Sequence, residues 1–186
     1  MDRGTEYYRR FREEGDESGL AELIRDYKDG LILYLYGVVG DLSAAEELAE
    51  DTFVKLLLKR PKDRGTGAFK TWLYTIGRHL ALDRMRKQKR EVSVPPEALG
   101  VLLQGEDDFE RTLFSTERDK LLFAAMRRLR PDYFQVLWLR YFEGLSGEQT
   151  AKAMGRSRNA SGVLAARARA ALKRELEQDG IGYEDL

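Results

Sequence analysis

The chain has no cysteine and one histidine, His79, among 186 residues. The first absence excludes disulfides, thiolate metal sites and a cysteine nucleophile. The second leaves little room for a histidine-based metal centre or a Ser-His-Asp triad. No catalytic residues and no metal or other cofactor are expected. Long apolar runs are missing as well. The longest weakly polar stretch, residues 30–40 (GLILYLYGVVG), falls far short of the ~20 residues that cross a bilayer. The first sixteen residues hold no apolar segment of the kind that directs secretion. A folded cytoplasmic protein without membrane insertion is therefore expected.

Net charge is absent too, but only on average, since 32 basic residues balance 32 acidic ones. The signs are sorted into blocks. Residues 41–51 hold five acids and no base; residues 70–90 hold seven bases against Asp83 alone. Residues 91–120 return to acidic, and residues 152–174 carry seven bases and no acid. Alternating solvated helix faces would account for such blocks, and so would two cationic binding segments.

The apolar spacing is helical throughout, with no sustained alternation of period two. Leu20, Leu23, Ile24, Tyr27, Leu31, Leu35 and Val38 mark a long first helix. Ser43 with Glu46 three residues on reads as a capping box, opening a second helix that carries Leu48, Thr52, Phe53 and Leu56 and stops before Pro61. After the loop 61–67, the stripe Phe69, Trp72, Leu73, Ile76 and Leu80 predicts a third helix whose far end is the basic run. Trp72 belongs to that stripe as core; Tyr74 lies off it, available for contact. Two prolines, two glycines and an acidic cluster make 91–115 read as a flexible linker. Helices resume with Leu121, Leu122, Ala125, Met126 and Leu129, restart at Pro131 and carry Phe134, Leu137, Trp138 and Tyr141 as far as Gly144. The expected fold is all-α: two small helical domains, residues 14–90 and 116–177, joined by the acidic linker 91–115.

The last helical pair carries the most information. Ser146 and Gln149 form a second capping box, Gly155 supplies a tight turn, and Ser157 opens a longer helix with Ala160, Val163, Leu164 and Ala168 along it. Short helix, glycine turn and longer basic helix make a helix-turn-helix. In that motif the N-terminal part of the second helix enters the major groove. Arg156, Arg158, Asn159, Ser161 and Gly162 are positioned to meet bases or phosphates, and Arg167 and Arg169 to hold the backbone. An ordinary helical hairpin with arginines for solubility is the alternative. The lack of any acid from Lys152 to Arg174 argues against it.

Both halves together resemble the small, two-domain extracytoplasmic-function type of bacterial RNA polymerase sigma factor. The resemblance rests on Ala44–Leu57 (AAEELAEDTFVKLL), Phe69–Arg86 (FKTWLYTIGRHLALDRMR) and, in the second half, GLSGEQTAKAMGRS with RARAAL. It spans about residues 14–176 outside the linker. It implies that the first domain binds and helps melt a minus-10 promoter element through Arg64, Lys70, Thr71, Tyr74, Arg78, His79, Arg84, Arg86 and Lys87. The helix-turn-helix would read the minus-35 element. Glu47, Leu48, Glu50, Asp51 and Phe53 would face core RNA polymerase, and an anti-sigma factor is an expected further partner. His79 stands where the family pattern has asparagine, Asp63 where many relatives have an aromatic residue, and Ser161 and Gly162 where an apolar and a polar residue are usual. The rival reading is a helix-turn-helix repressor or activator that works without being a polymerase subunit.

Overall fold

The computed structural model describes residues 3–59, 69–91, 114 and 116–181, and among these every regular element is helical. Helices α1 (Arg3–Glu14), α2 (Glu17–Val39), α3 (Leu42–Lys59) and α4 (Phe69–Glu91) make the first half. The second half consists of α5 (Glu117–Arg127), α6 (Pro131–Leu137) running into a π-helical turn (Trp138–Phe142), α7 (Gly147–Met154) and α8 (Arg158–Gln178).

Helix α1 was not anticipated from the apolar spacing, because only Tyr8 among its large residues is fully buried. It is seated by small and polar groups instead. The Gly4 amide donates to the Tyr27 hydroxyl at 3.0 Å. A Cβ at Gly4 would lie 2.5 Å from Phe69, so only glycine admits so close an approach. Asp16 then caps α2, its carboxylate accepting from the Ser18 amide at 2.9 Å while Arg10 holds the other oxygen at the same distance. Hydrogen bonding from Ser18 first, and from Arg10 second, keeps the Asp16 carboxyl below its ordinary pKa.

The start of α3 differs from expectation in detail. Asp41, not Ser43, supplies the cap, accepting from the Ala44 amide at 2.6 Å. The second half follows its sequence signals closely. Ser146 and Gln149 form a complete capping box, Gly155 adopts φ 62°, and Ser157 accepts from the Ala160 amide at 3.2 Å. Thr116 caps α5.

The two halves are not held apart. Helix α4 packs on α7, and α2 packs on α6. Tyr8, Leu31, Tyr34, Leu73 and Tyr74 of the first half share one continuous apolar core with Phe123, Phe134, Trp138 and Met154 of the second. Rings cross the junction, Tyr36 lying 6.2 Å from Phe123, which in turn contacts Phe134 and Trp138 at 5.8 Å each. The linker, 91–115, lies outside the described residues apart from Glu91 and Phe114.

Candidate nucleic-acid interface

Three faces of the molecule carry the residues singled out by the sequence. The first is α4. Its C-terminal half behaves as anticipated: His79, Arg86, Lys87 and Lys89 are exposed. Arg84 is half-exposed and bonded to Glu47 of α3 at 2.7 Å, and Arg86 pairs with Asp83 at 2.8 Å. Such solvent-facing pairs are worth little and exchange readily for a phosphate.

The N-terminal half of α4 is different, because a second layer of helices covers it. Thr71 and Tyr74 are each 1% exposed, which corrects the reading of Tyr74 as free for contact. The tyrosine ring meets Tyr34 edge-on at 5.1 Å. Burial first, and the Glu143 carboxylate second, raise the Tyr74 phenol well above its ordinary pKa. Lys70 reaches across to the second half, donating to the Glu143 backbone carbonyl at 2.9 Å with the carboxylate 3.5 Å away. Arg78 donates through Nε to Gln135 Oε1 at 2.8 Å, and the Tyr34 hydroxyl donates to the same oxygen at 3.3 Å. Desolvation lowers the Arg78 pKa, and Arg156 and Arg86 push the same way. In this arrangement Lys70, Thr71, Tyr74 and Arg78 therefore face protein. Trp72 is partly buried on the stripe, 6.0 Å from Tyr8, as anticipated. Arg64 lies outside the described residues, as does the loop holding Asp63.

The π turn explains how Glu143 comes to face α4. Its wide hydrogen bonding, Glu143 amide to Trp138 carbonyl at 3.1 Å, stacks Phe142 on Trp138 at 4.5 Å. The Trp138 indole then donates to the Glu143 carboxylate at 3.2 Å. Single π turns inside α-helices are rare and often sit at functional sites. No sequence signal had marked this one.

The second face is α8, the longer helix of the helix-turn-helix. Arg156, Arg158, Asn159, Gly162 and Arg167 are exposed along its leading edge. Arg140, Gly147, Arg158, Asn159 and Gly162 line one open concavity there. Arg156 lies 3.5 Å from Asp132. Arg169, also exposed, donates to the Tyr141 hydroxyl at 2.8 Å. Ser161 is the exception: at 3% exposure it packs inward, so it does not face solvent as expected. Val163 is 52% exposed, and Ala160 is exposed as well. The inward face of α8 includes Ser161, Leu164, Ala165 and Ala168.

The third face is α3. Glu46, Glu47, Glu50 and Asp51 are exposed, whereas Leu48 and Phe53 are 4% and 6% exposed and support that face from beneath. Val54 and Leu58 continue the helix as exposed apolar residues. Among the described residues no cluster of acids and His79 could hold a metal ion, and no helix is long and apolar enough to cross a membrane.

Comparison with known proteins places both halves. Residues 23–91 match the model for Sigma-70 region 2, and residues 119–172 the model for Sigma-70, region 4. The chain is 31% identical over 158 residues to the RNA polymerase sigma factor YlaC of Bacillus subtilis, covering 84% of this chain and 91% of that one. It is 30% identical over 166 residues to the ECF RNA polymerase sigma factor BldN of Streptomyces coelicolor, covering 89% of this chain and 63% of the relative. Among solved structures it is similar in fold to the sigma factor RpoE of Bartonella quintana, crystallised with the anti-sigma factor NepR. That match has a TM-score of 0.63 and 22% identity over 85% of this chain and 96% of that one. CnrH, solved with the cytosolic domain of CnrY, is similar with a TM-score of 0.62 and 19% identity, over 96% and 99%.

Proposed function

The chain belongs to the extracytoplasmic-function type of the sigma-70 family, and on that premise we propose how its residues divide the work of starting transcription. It acts in the cytoplasm as a non-catalytic subunit that joins core RNA polymerase and directs it to a set of promoters. One observation carries the reading: a single chain holds, in order, a carboxylate-rich helix, a helix with a cationic end, and a helix-turn-helix with an exposed cationic edge.

The carboxylates of α3 (Glu47, Glu50 and Asp51) suit a protein partner, since they repel phosphate and lie over a firm apolar base. Core polymerase docks here, with Leu48 and Phe53 holding the face in shape. The exposed cations Arg84, Arg86 and Lys87, with His79, track the promoter backbone at the minus-10 element. Arg64, Lys70, Thr71, Tyr74 and Arg78 hold the strand as it melts, where an unstacked base needs a donor or a ring to replace its neighbours. Arg158 and Asn159 read the minus-35 element in the major groove, guanine and adenine being their respective matches. Arg156, Arg167 and Arg169 fix the phosphates. Gly162 leaves a gap in that edge, and buried Ser161 supports the helix crossing instead of touching DNA. An anti-sigma factor is a natural inhibitor of such exposed faces.

The test is run-off transcription with core polymerase on a library of promoter templates. Initiation at a defined subset only with the added chain is the expected result. A chain that fails to direct initiation anywhere, yet binds a palindromic duplex tightly on its own, would be the helix-turn-helix regulator instead.

A further inference from the structure

Helix α8 turns Ser161, Leu164, Ala165 and Ala168 to the protein interior. At about 3.6 residues per turn, the opposite crest runs through Asn159, Val163, Ala166 and Ala170, and all four are exposed. Arg158, Gly162 and Arg169 flank this crest on one side and Arg167 on the other. Among the described residues of α8, Val163 is the one large apolar side chain that is exposed, at 52%. We propose that Val163 selects thymine in the minus-35 element, by contact with the C5 methyl group of the base. The proposal rests on the reading of α8 given above.

In the major groove thymine shows one acceptor and a methyl, and apolar surface is what recognises the methyl. Arginine and asparagine do not supply it. Val163 lines a concavity of about 520 Å³ together with Arg140, Gly147, Arg158, Asn159 and Gly162. Arg158 and Asn159 bring hydrogen-bonding groups to that concavity, and Val163 brings the apolar wall. A cytosine in the same place would turn its amino group onto the valine and lose a hydrogen bond to water. The contact therefore favours thymine and also penalises its pyrimidine rival.

The surroundings of Val163 let a base edge come close. A Cβ at Gly162 would meet nothing within 4 Å, so the space beside the valine is open and its neighbour has no side chain to fill it. No carboxylate occurs from Arg158 to Arg174, so the flanking arginines bring DNA onto the crest unopposed. Asn159 and Val163 are one turn apart, about 6 Å along the helix axis, which is less than two base-pair steps of about 3.4 Å. The two face neighbouring pairs in one groove, the amide suiting adenine and the valine thymine. On a merely solvated face valine is a poor choice, because its branched chain loses freedom in a helix.

The test uses the full chain bound to core polymerase and a promoter from which that complex initiates. Each thymine of the minus-35 element, on either strand, is replaced in turn by deoxyuridine, which lacks the C5 methyl and keeps the base pairing. One replacement is expected to weaken binding about fourfold, the worth of one buried methyl. Val163→Ser removes both γ-methyls from an exposed position and is expected to bind the thymine and deoxyuridine promoters alike. Val163→Ile keeps the apolar wall and is expected to keep the discrimination. Indifference of the unaltered complex to every replacement overturns the inference. So does a replacement whose effect persists undiminished in Val163→Ser. A complex that binds equally well when the whole minus-35 element is scrambled strikes the helix-turn-helix reading itself, and the inference falls with it.

Discussion

Lys70 at the start of α4 and Glu143 at the end of the π turn are joined across 73 residues of sequence, the ammonium 2.9 Å from the backbone carbonyl and 3.5 Å from the carboxylate. Both side chains are largely covered, at 28% and 11% exposure, so the pair is less screened than the ion pairs along α1.

Glu143→Ala removes an acceptor shared by Lys70 and the Trp138 indole. The expected loss of unfolding free energy is about 1–3 kcal/mol, because the covered Trp138 indole then lacks its acceptor and the Lys70 ammonium keeps only the backbone carbonyl. Urea denaturation followed by circular dichroism measures it. Glu143→Gln, which keeps an acceptor for the indole, should lose less.

Two glycines of the helix-turn-helix should respond with opposite signs. Gly155 sits at φ 62° with open space around it, so Gly155→Ala strains the backbone and destabilises by about 1 kcal/mol. Gly162 lies inside α8 with nothing near its Cβ position, and Gly162→Ala should stabilise by up to about 1 kcal/mol. Thermal unfolding of the two variants side by side checks both. A duplex-binding assay of Gly162→Ala then shows whether the bare position matters to readout.

Replacing Arg84, Arg86 and Lys87 together with glutamine should flatten the dependence of promoter binding on salt. If all three contact phosphates, the slope of log affinity against log salt falls in magnitude by about 2–3. An unchanged slope in the polymerase complex would place this cluster away from DNA.

The junction should loosen in alkali. Burial raises the Tyr34 phenol above its ordinary pKa of 10.0, partly opposed by Arg78, and raises the Tyr74 phenol well above it as well. A raised value means the folded, closed state prefers the proton. Its contribution to stability is full below pH 10 and is lost as pH climbs through the folded-state values. Titration by tyrosinate absorbance should show the Tyr34 and Tyr74 phenols ionising late, together with the loss of helical circular dichroism. Tyr34→Phe should lower the amplitude of the late absorbance rise.

The sequence carried the helices that are apolar on one face and the turns that need a particular residue. Ser146, Gln149, Gly155 and Ser157 each do a local job that no distant contact alters, so their roles are legible from spacing alone. Helix α1 escaped because its attachment relies on Gly4, a single tyrosine and charged pairs. Tyr74 was misread because α4 is buried on two sides. A one-stripe pattern describes a helix with one partner, and the second partner here comes from the other half of the chain. The same limit applies to Ser161, which packs inward where α7 crosses α8. Periodicity also gave no sign of the π turn, whose effect is to aim Glu143 and not to change which residues are apolar.

Helix α4 is one unbroken rod of 23 residues, wet and cationic at its far end, dry and occupied at its near end. An approaching polyanion is therefore greeted by Lys87 and Lys89 long before it can touch Thr71 or Tyr74. Capture by charge comes first along this rod and discrimination second, so the order in which a promoter is sampled is written into the direction of a single helix.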